Sequence, residues 1–181
     1  GHTDVFFANN QIGWAIGGGG TIRKTMDGGT TWVNQPSGIS SWLLSIHFVN
    51  DLNGWVVGQN GIILRTINGG TSWTNQSSGV SFTLNDVYFY DNQIGWAVGA
   101  NGTILKTLDG GLTWSIQISG TTLTLNDIHF SSSQSGWVAG DDGTILKTID
   151  GGISWTEQQT GTLSNINALY FIGQKGIAVG N

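Results

Sequence analysis

Apolar residues along this chain fall into short runs of about five, separated by clusters of Gly, Asn, Asp and Ser. Residues 84–124 illustrate the pattern. Asp86-Val87-Tyr88-Phe89-Tyr90 reads as a first strand, followed by a polar turn at Asp91-Asn92-Gln93. Gly95-Trp96-Ala97-Val98-Gly99 reads as a second strand. Asn101-Gly102 then forms a two-residue hairpin, because both residues tolerate the positive φ such turns need. Thr103 to Thr107 forms a third strand and Asp109-Gly110-Gly111 the next hairpin. A fourth strand starts at Thr113-Trp114 and runs to about Ile118, after which Ser119-Gly120-Thr121-Thr122 leads onward. The prediction is a four-stranded antiparallel sheet joined by tight turns.

That unit recurs every 41 residues. Trp14, Trp55, Trp96 and Trp137 each follow Gly. Trp32, Trp73, Trp114 and Trp155 form a second series, and Lys24, Arg65, Lys106 and Lys147 a third, each followed by Thr. Residues 84–124 and 125–165 share 21 identities in 41 positions, too many for chance, so the units are true repeats. The copies span roughly 3–43, 44–84, 85–125 and 126–166, with a half-copy at 167–181. Four short strands per repeat of this length mark a β-propeller blade. One such sheet cannot bury two apolar faces alone; stacking on its neighbours does so. The predicted fold is therefore all-β: a β-propeller of four-stranded antiparallel blades, four complete, plus the first two strands of a fifth.

The first copy has all four strands, beginning at Asp4-Val5-Phe6. The fifth has Asn167-Ala168-Leu169-Tyr170-Phe171 and Gly176-Ile177-Ala178-Val179-Gly180 before Asn181. Seven blades of this length would need roughly 290 residues. Three arrangements follow: a fragment of a larger ring, a five-bladed ring with an abbreviated last blade, or two chains completing a ring as a homo-oligomer.

Each complete copy carries T-x-[DN]-G-G-x-[TS]-W, from Thr25 to Trp32, Thr66 to Trp73, Thr107 to Trp114 and Thr148 to Trp155. The acceptors Asp27, Asn68, Asp109 and Asp150 are expected to take backbone N–H groups two residues on, and Trp32, Trp73, Trp114 and Trp155 to close the hairpins. This pattern resembles the Asp-box, or BNR repeat, of sialidases and other propellers. The longer string from Gly95 to Trp114 resembles the repeat of the photosystem II stability and assembly factor family, also seen in secreted bacterial proteins. The resemblance covers essentially the whole chain. For the assembly factor it implies a seven-bladed lumenal chaperone of chlorophyll proteins with a basic surface patch.

Composition narrows the function. The chain has 30 Gly, one Pro and no Cys among 181 residues, and only 9% are charged, which suits many tight turns and excludes disulfides and thiolate metal sites. With six Lys and Arg and a net charge of −5, it lacks the clustered basic surface that nucleic-acid binding requires. No apolar run is long enough to span a membrane, and no signal peptide is legible.

Catalytic patterns are sparse. A sialidase needs three clustered arginines, and only Arg23 and Arg65 are present. Asp86 and Asp127, like Asp4, hold matching positions just before the first strand. They face the channel mouth as a carboxylate pair or cap strand starts. Asp141 and Asp142 fall in a second-to-third-strand turn. His47 and His129 share a position with Phe6, Tyr88 and Tyr170, which points to packing between blades and not to a metal. Lys24, Arg65, Lys106 and Lys147 read as exposed ion pairs or packing stems, or as a ring for an anionic partner. The loops leading into the first strands vary most and share a rim with the second-to-third-strand turns. There Trp42 and Phe82 offer aromatic surface for protein or sugar, or bury into the next blade.

The rim candidates are thus Trp42, Phe82, Asp86, Asp127, Asp141 and Asp142, with no catalytic residue, cofactor or metal expected. The leading function is a non-catalytic scaffold or binding module for a protein partner, in an extracellular, periplasmic or lumenal setting. The alternatives are a carbohydrate-binding propeller, a fragment of an Asp-box glycosidase, or a photosystem assembly factor. The uniform spacing argues against the glycosidase, whose catalytic insertions lengthen some blades.

Overall fold

A computed structural model describes residues 1–181. Four sheets each contain four antiparallel strands in sequence order. The first blade holds β1 (His2–Phe7), β2 (Gly13–Gly17), β3 (Ile22–Thr25) and β4 (Val33–Gln35). The second holds β5 (Leu43–Phe48), β6 (Gly54–Gly58), β7 (Ile63–Thr66) and β8 (Thr74–Gln76). The third holds β9 (Leu84–Phe89), β10 (Gly95–Gly99), β11 (Ile104–Thr107) and β12 (Ser115–Gln117). The fourth holds β13 (Leu125–Phe130), β14 (Gly136–Gly140), β15 (Ile145–Thr148) and β16 (Thr156–Glu157). A two-stranded sheet of β17 (Ile166–Ile172) and β18 (Lys175–Gly180) follows. The architecture is a β-propeller.

Strand limits differ from expectation by one or two residues at several ends, most tellingly in the third blade. The first strand of the third blade starts at Leu84 and stops at Phe89, leaving Tyr90 exposed outside it. The fourth strand starts at Ser115 and not at Thr113-Trp114. Thr113 donates its N–H to Asp109 Oδ1 at 2.9 Å, so the chain is still turning there and cannot yet join the ladder. The Asn101-Gly102 hairpin has φ of 57° and 63°, as a turn with two left-handed central residues requires.

The core lies between blades. Along the second strand, alternate residues face opposite neighbours. Trp96 and Val98 pack with Leu125, Ile128 and Phe130 of the fourth blade, while Ala97 joins Trp55 and Leu84 on the other side. Each second-strand Trp lies flat on a Phe of the following blade, with ring centroids at 3.6 Å for Trp14–Phe48, 3.5 Å for Trp55–Phe89 and 3.5 Å for Trp96–Phe130. That Phe needs room. A Cβ on Gly95 would sit 2.5 Å from the Phe89 ring, which explains why Gly precedes each Trp of the series in the complete blades.

Candidate functional site

Three regions hold the residues singled out above: the axis, the Asp-box rim and the opposite rim. The innermost strands line the axis. Each has a bulge near its start, for example between Leu125 and Asp127, which turns successive polar side chains toward the next blade. The resulting contacts step regularly along the chain. The Ile46 N–H donates to Asp4 Oδ2 at 2.9 Å, and the Ile128 N–H to Asp86 Oδ2 at 2.9 Å. The Leu169 N–H donates to Asp127 Oδ2. Ser45 takes the same position in the second blade; it accepts from the Val87 N–H at 3.4 Å and donates to Asp86 Oδ1 at 2.5 Å. Each N–H donor sits 42 residues on, which is one blade plus one residue.

These contacts correct the placement of Asp86 and Asp127. They lie within the first strands, as the strand expected from Asp86 to Tyr90 already placed Asp86, and they clasp the next blade in place of lining a rim. Burial raises the pKa of Asp86 well above 3.8, reinforced by hydrogen bonding and charge repulsion from Asp127. Burial also raises that of Asp4, with a smaller contribution from Asp127 across the arc. A ground state in which these carboxyls satisfy backbone donors is framework chemistry. It is not a free acid–base pair.

One further polar row escaped the sequence reading, while the row of Phe6, His47, Tyr88, His129 and Tyr170 packs between blades as expected. Asn85 and Asn126 donate to the Leu125 and Ile166 carbonyls of the next blade at 2.9 and 3.0 Å. Tyr88 Oη donates to the Phe130 carbonyl at 2.8 Å, and His47 Nδ1 accepts from the Phe89 N–H at 3.3 Å. A signal for the Asn row was available: at the repeat step its position reads Thr3, Leu44, Asn85, Asn126 and Asn167, polar in four copies of five. Phe6, His47, Tyr88, His129 and Tyr170 form one continuous row, with neighbouring rings 4.9 to 5.2 Å apart. Burial, with a smaller contribution from His129, lowers the His47 pKa to about 4, so this imidazole is neutral at physiological pH. No three His, Asp or Glu side chains group in a way that could hold a metal ion.

At the Asp-box rim the acceptor reaches four residues on, not two. Asp109 Oδ1 accepts from the Thr113 N–H at 2.9 Å and Oδ2 from Thr113 Oγ1 at 2.6 Å. The N–H groups nearer the turn, of Asp109 and Gly111, donate instead to Thr107 Oγ1 at 3.3 and 2.8 Å. Asp27 and Asp150 repeat the arrangement, and Asn68 does so with an amide. Hydrogen bonds led by Thr31, Thr113 and Ser154 lower the pKa of Asp27, Asp109 and Asp150 to about 2. The turn's Cβ-free backbone carries a second function. Trp14 Nε1 donates to the Gly69 carbonyl at 3.1 Å, Trp55 to Gly110 at 2.9 Å and Trp96 to Gly151 at 3.1 Å. Lys24 Nζ shares the Gly69 carbonyl at 2.9 Å while lying 5.2 Å from the Trp14 ring centre. Lys24 thus hooks onto the next blade, and Lys106 and Lys147 lie over the Trp96 and Trp137 rings of their own blades, as packing stems do. Trp32, Trp73, Trp114 and Trp155 meet Phe7, Phe48, Phe89 and Phe130 of their own blades edge-on at 5.8 to 6.0 Å.

The opposite rim carries the less committed side chains. The loops leading into the first strands bond the second-to-third-strand turns: the Gln59 N–H donates to the Trp42 carbonyl at 3.0 Å and the Asp141 N–H to Thr124 at 2.9 Å. Trp42 is 48% exposed and Phe82 45% exposed, so both present open aromatic surface. The Trp42 ring also lies over Gly18 of the first blade, where a Cβ would approach it to 3.0 Å. Asp141 accepts from Asn126 Nδ2 at 3.1 Å, and Asp142 occupies a left-handed turn position with φ of 52°. Among the rim candidates, Trp42, Phe82, Asp141 and Asp142 therefore sit on this rim, and Asp86 and Asp127 do not.

Repeated sheets, Asp-box turns and a second-strand Trp hooked into the neighbouring turn define the BNR class of β-propeller. Within that class the chain matches the family described as photosynthesis system II assembly factor YCF48, over residues 1–67, 67–120 and 115–181, and it belongs to that family. No curated protein matches the sequence. Among solved structures it is similar to YCF48 from Cyanidioschyzon merolae, with a TM-score of 0.75 and 17% identity, covering 99% of this chain and 66% of that one. It is similar to YCF48 bound to D1 peptide, with a TM-score of 0.58 and 18% identity, covering 99% of this chain and 90% of that one. It also resembles the GH74 enzyme of Niastella koreensis, with a TM-score of 0.69 and 16% identity, over 83% of this chain but 28% of that one. Identities this low speak for the fold alone.

Proposed function

We propose that this chain is a non-catalytic propeller module that binds a segment of a protein partner, acting as an assembly factor outside the cytoplasm. The observation that carries this reading is the commitment of its carboxylates. Asp4, Asp86 and Asp127 are spent on backbone N–H groups of adjoining blades, and Asp27, Asp109 and Asp150 on their own turns. A glycosidase needs two carboxyls free to reach a glycosidic bond. Membership of the assembly-factor family supports a protein partner, as does a relative described as bound to D1 peptide. The family also supports the non-cytoplasmic setting. On the rim that carries Trp42 and Phe82, exposed aromatic rings beside turn carboxylates suit a mixed apolar and polar peptide.

The test is a titration of the chain with a fluorescently labelled D1-derived peptide, followed by anisotropy. Saturable binding is expected, weakened roughly tenfold or more by Trp42→Ala, since central aromatic anchors carry much of a peptide's affinity. A scrambled peptide serves as control. Xyloglucan oligosaccharides, incubated in parallel, are expected neither to bind nor to be cut. Oligosaccharide cleavage, or peptide binding indifferent to both Trp42→Ala and Phe82→Ala, would overturn the reading.

A further inference from the structure

We infer that the cleft between the second and third blades on the Asp-box rim binds a carboxylate carried on a short aliphatic stem, through Arg65, Ser72 and Thr74. The cleft holds about 250 Å³. It is lined by Arg65 of β7, Ile67 and Ser72 of the following turn, Thr74 and Gln76 of β8, and Leu112 from the turn of the next blade. Arg65 stands where the other complete blades have Lys24, Lys106 and Lys147. Those three ammonium groups lie over the second-strand indoles, and Lys24 also reaches a turn carbonyl. Arg65 instead extends its guanidinium beside Gly110, where an added Cβ would come within 3.4 Å of Nη2. Its Nε is buried with no hydrogen-bond partner. A buried cationic donor left unmet costs free energy that a matching acceptor recovers.

The second blade departs from the repeat again at Asn68, where the other boxes have Asp27, Asp109 and Asp150. That exchange reverses one hydrogen bond. In the other boxes the hydroxyls of Thr31, Thr113 and Ser154 donate to the carboxylate at 2.6, 2.6 and 2.5 Å, so each hydroxyl hydrogen is consumed. Asn68 Oδ1 accepts from Thr66 Oγ1 at 2.9 Å and from the Ser72 N–H at 3.0 Å, which fixes the amide with Nδ2 toward the Ser72 hydroxyl. Nδ2 then donates to Ser72 Oγ at 2.9 Å. Ser72 is the acceptor there, and its own hydrogen is left for the cleft that it lines. The same exchange removes a negative charge from beside Ser72.

Together these departures place a planar guanidinium and two hydroxyls on one cleft. A guanidinium fork matches the two oxygens of a carboxylate, which a lysine ammonium does not. Ile67 and Leu112, 62% and 59% exposed, flank the polar groups and suit the methylenes behind such a carboxylate. Asp109, in the turn that supplies Leu112, keeps its oxygens on Thr107 and Thr113. A glutamate side chain of a partner and a free dicarboxylate share the chemistry that this cleft recognises. The cleft lies on the rim opposite Trp42 and Phe82, so carboxylate binding here stands apart from the peptide binding assigned there.

The experiment follows the arginine Nε–H signals of the isotope-labelled full chain by NMR during titration with glutarate. The only arginines are Arg23 and Arg65, so Arg65→Lys assigns both signals. Saturable movement of the Arg65 signal is expected, with Arg23 unmoved and the Ser72 and Leu112 amides shifting in step. Asn68→Asp restores the box of the other blades and so keeps the fold. It should weaken binding roughly tenfold or more, by returning the charge and consuming the Ser72 hydrogen. Arg65→Lys, the residue type of the other blades, should weaken it about fivefold, read from the backbone amides. A capped peptide with one Glu between apolar residues that binds more tightly than glutarate assigns the site to a partner's side chain. The reverse order assigns it to a free acid, and either order supports a carboxylate site. Inorganic phosphate binding as tightly as glutarate overturns it. So does a lack of saturable movement, or affinity unchanged in both variants.

Discussion

The interface between the third and fourth blades and the one between the fourth blade and β17–β18 draw on equivalent repeat positions, yet they close differently. At the former, eight buried residues form one cluster, and Trp96 both stacks on Phe130 and donates to Gly151. At the latter, four buried residues remain, Trp137 keeps its stacking on Phe171, and His129 Nδ1 has no partner where His47 Nδ1 accepts from Phe89. The inner half of a blade therefore suffices to orient the Trp ring. The outer half supplies the carbonyl and much of the apolar area. Stacking and hydrogen bonding, which appear together for the indoles of the first three blades, are contributed by different strands of the neighbour.

The sharpest way to break this comparison is to remove the two Trp side chains in turn. Trp96→Ala should cost about 3–5 kcal/mol in urea unfolding, as large-to-small changes of buried aromatics do. Trp137→Ala should cost roughly 1–3 kcal/mol, since the buried cluster around it holds four residues where that around Trp96 holds eight. Equal losses would show that the outer strands add nothing. Next come the glycines under the Phe rings. Gly95→Ala drives a Cβ to 2.5 Å from Phe89, which is locked between Trp55 and Trp114, and should cost about 1–3 kcal/mol. Gly176→Ala drives a Cβ into the Phe171 ring, but that ring is held on one side only, by Trp137, so the loss should stay below about 1 kcal/mol.

Smaller effects separate the axis from the rim by pH. Asp86 has a raised pKa in the fold, so its contribution is complete below its ordinary value of 3.8 and is lost as pH rises through the raised one. Asp86→Asn should therefore flatten the decline in stability between acid and neutral pH, read from urea midpoints. Asp109 is opposite in sign: its pKa is lowered to about 2, so its contribution is present above 3.8 and is lost as pH falls toward 2. Asp109→Asn should leave the midpoint at neutral pH nearly unchanged, because Asn68 builds the same turn, while reducing the loss on acidification. A larger effect at neutral pH would mean that the carboxylate does more than hold the turn.

Much of this architecture was legible in the sequence because a repeat shows the same physical demand several times over. A Gly before Trp might be accidental once; at a constant step it marks a steric requirement, and the Phe ring over Gly95 supplies it. The Asp-box turns and the Asn101-Gly102 hairpin were legible because backbone sign restricts the residue types. What the sequence concealed was the partner of each side chain. Asp86 could be read as a channel-mouth carboxylate or as a cap on strand starts, because the N–H it accepts from is that of Ile128 in the next blade, and no local pattern reports that. Lys24 looked like a surface charge for the same reason, its carbonyl partner lying in the turn at Gly69. Even the reach of Asp109 to Thr113 depends on the Thr107 hydroxyl having taken the nearer N–H groups. Pairwise competition of this kind is settled in three dimensions, and a propensity at one position does not carry it.

The uniform step from each inner-strand acceptor to the following blade gives the molecule a direction. Asp4, Ser45, Asp86 and Asp127 all reach toward the C-terminus, and so do the indoles of Trp14, Trp55 and Trp96. During synthesis, each sheet would leave the ribosome with its forward-facing groups unmet and be completed by the next one to emerge. Such a chain can mature like a zipper drawn from one end, each closure short in sequence and each new blade the template for its successor.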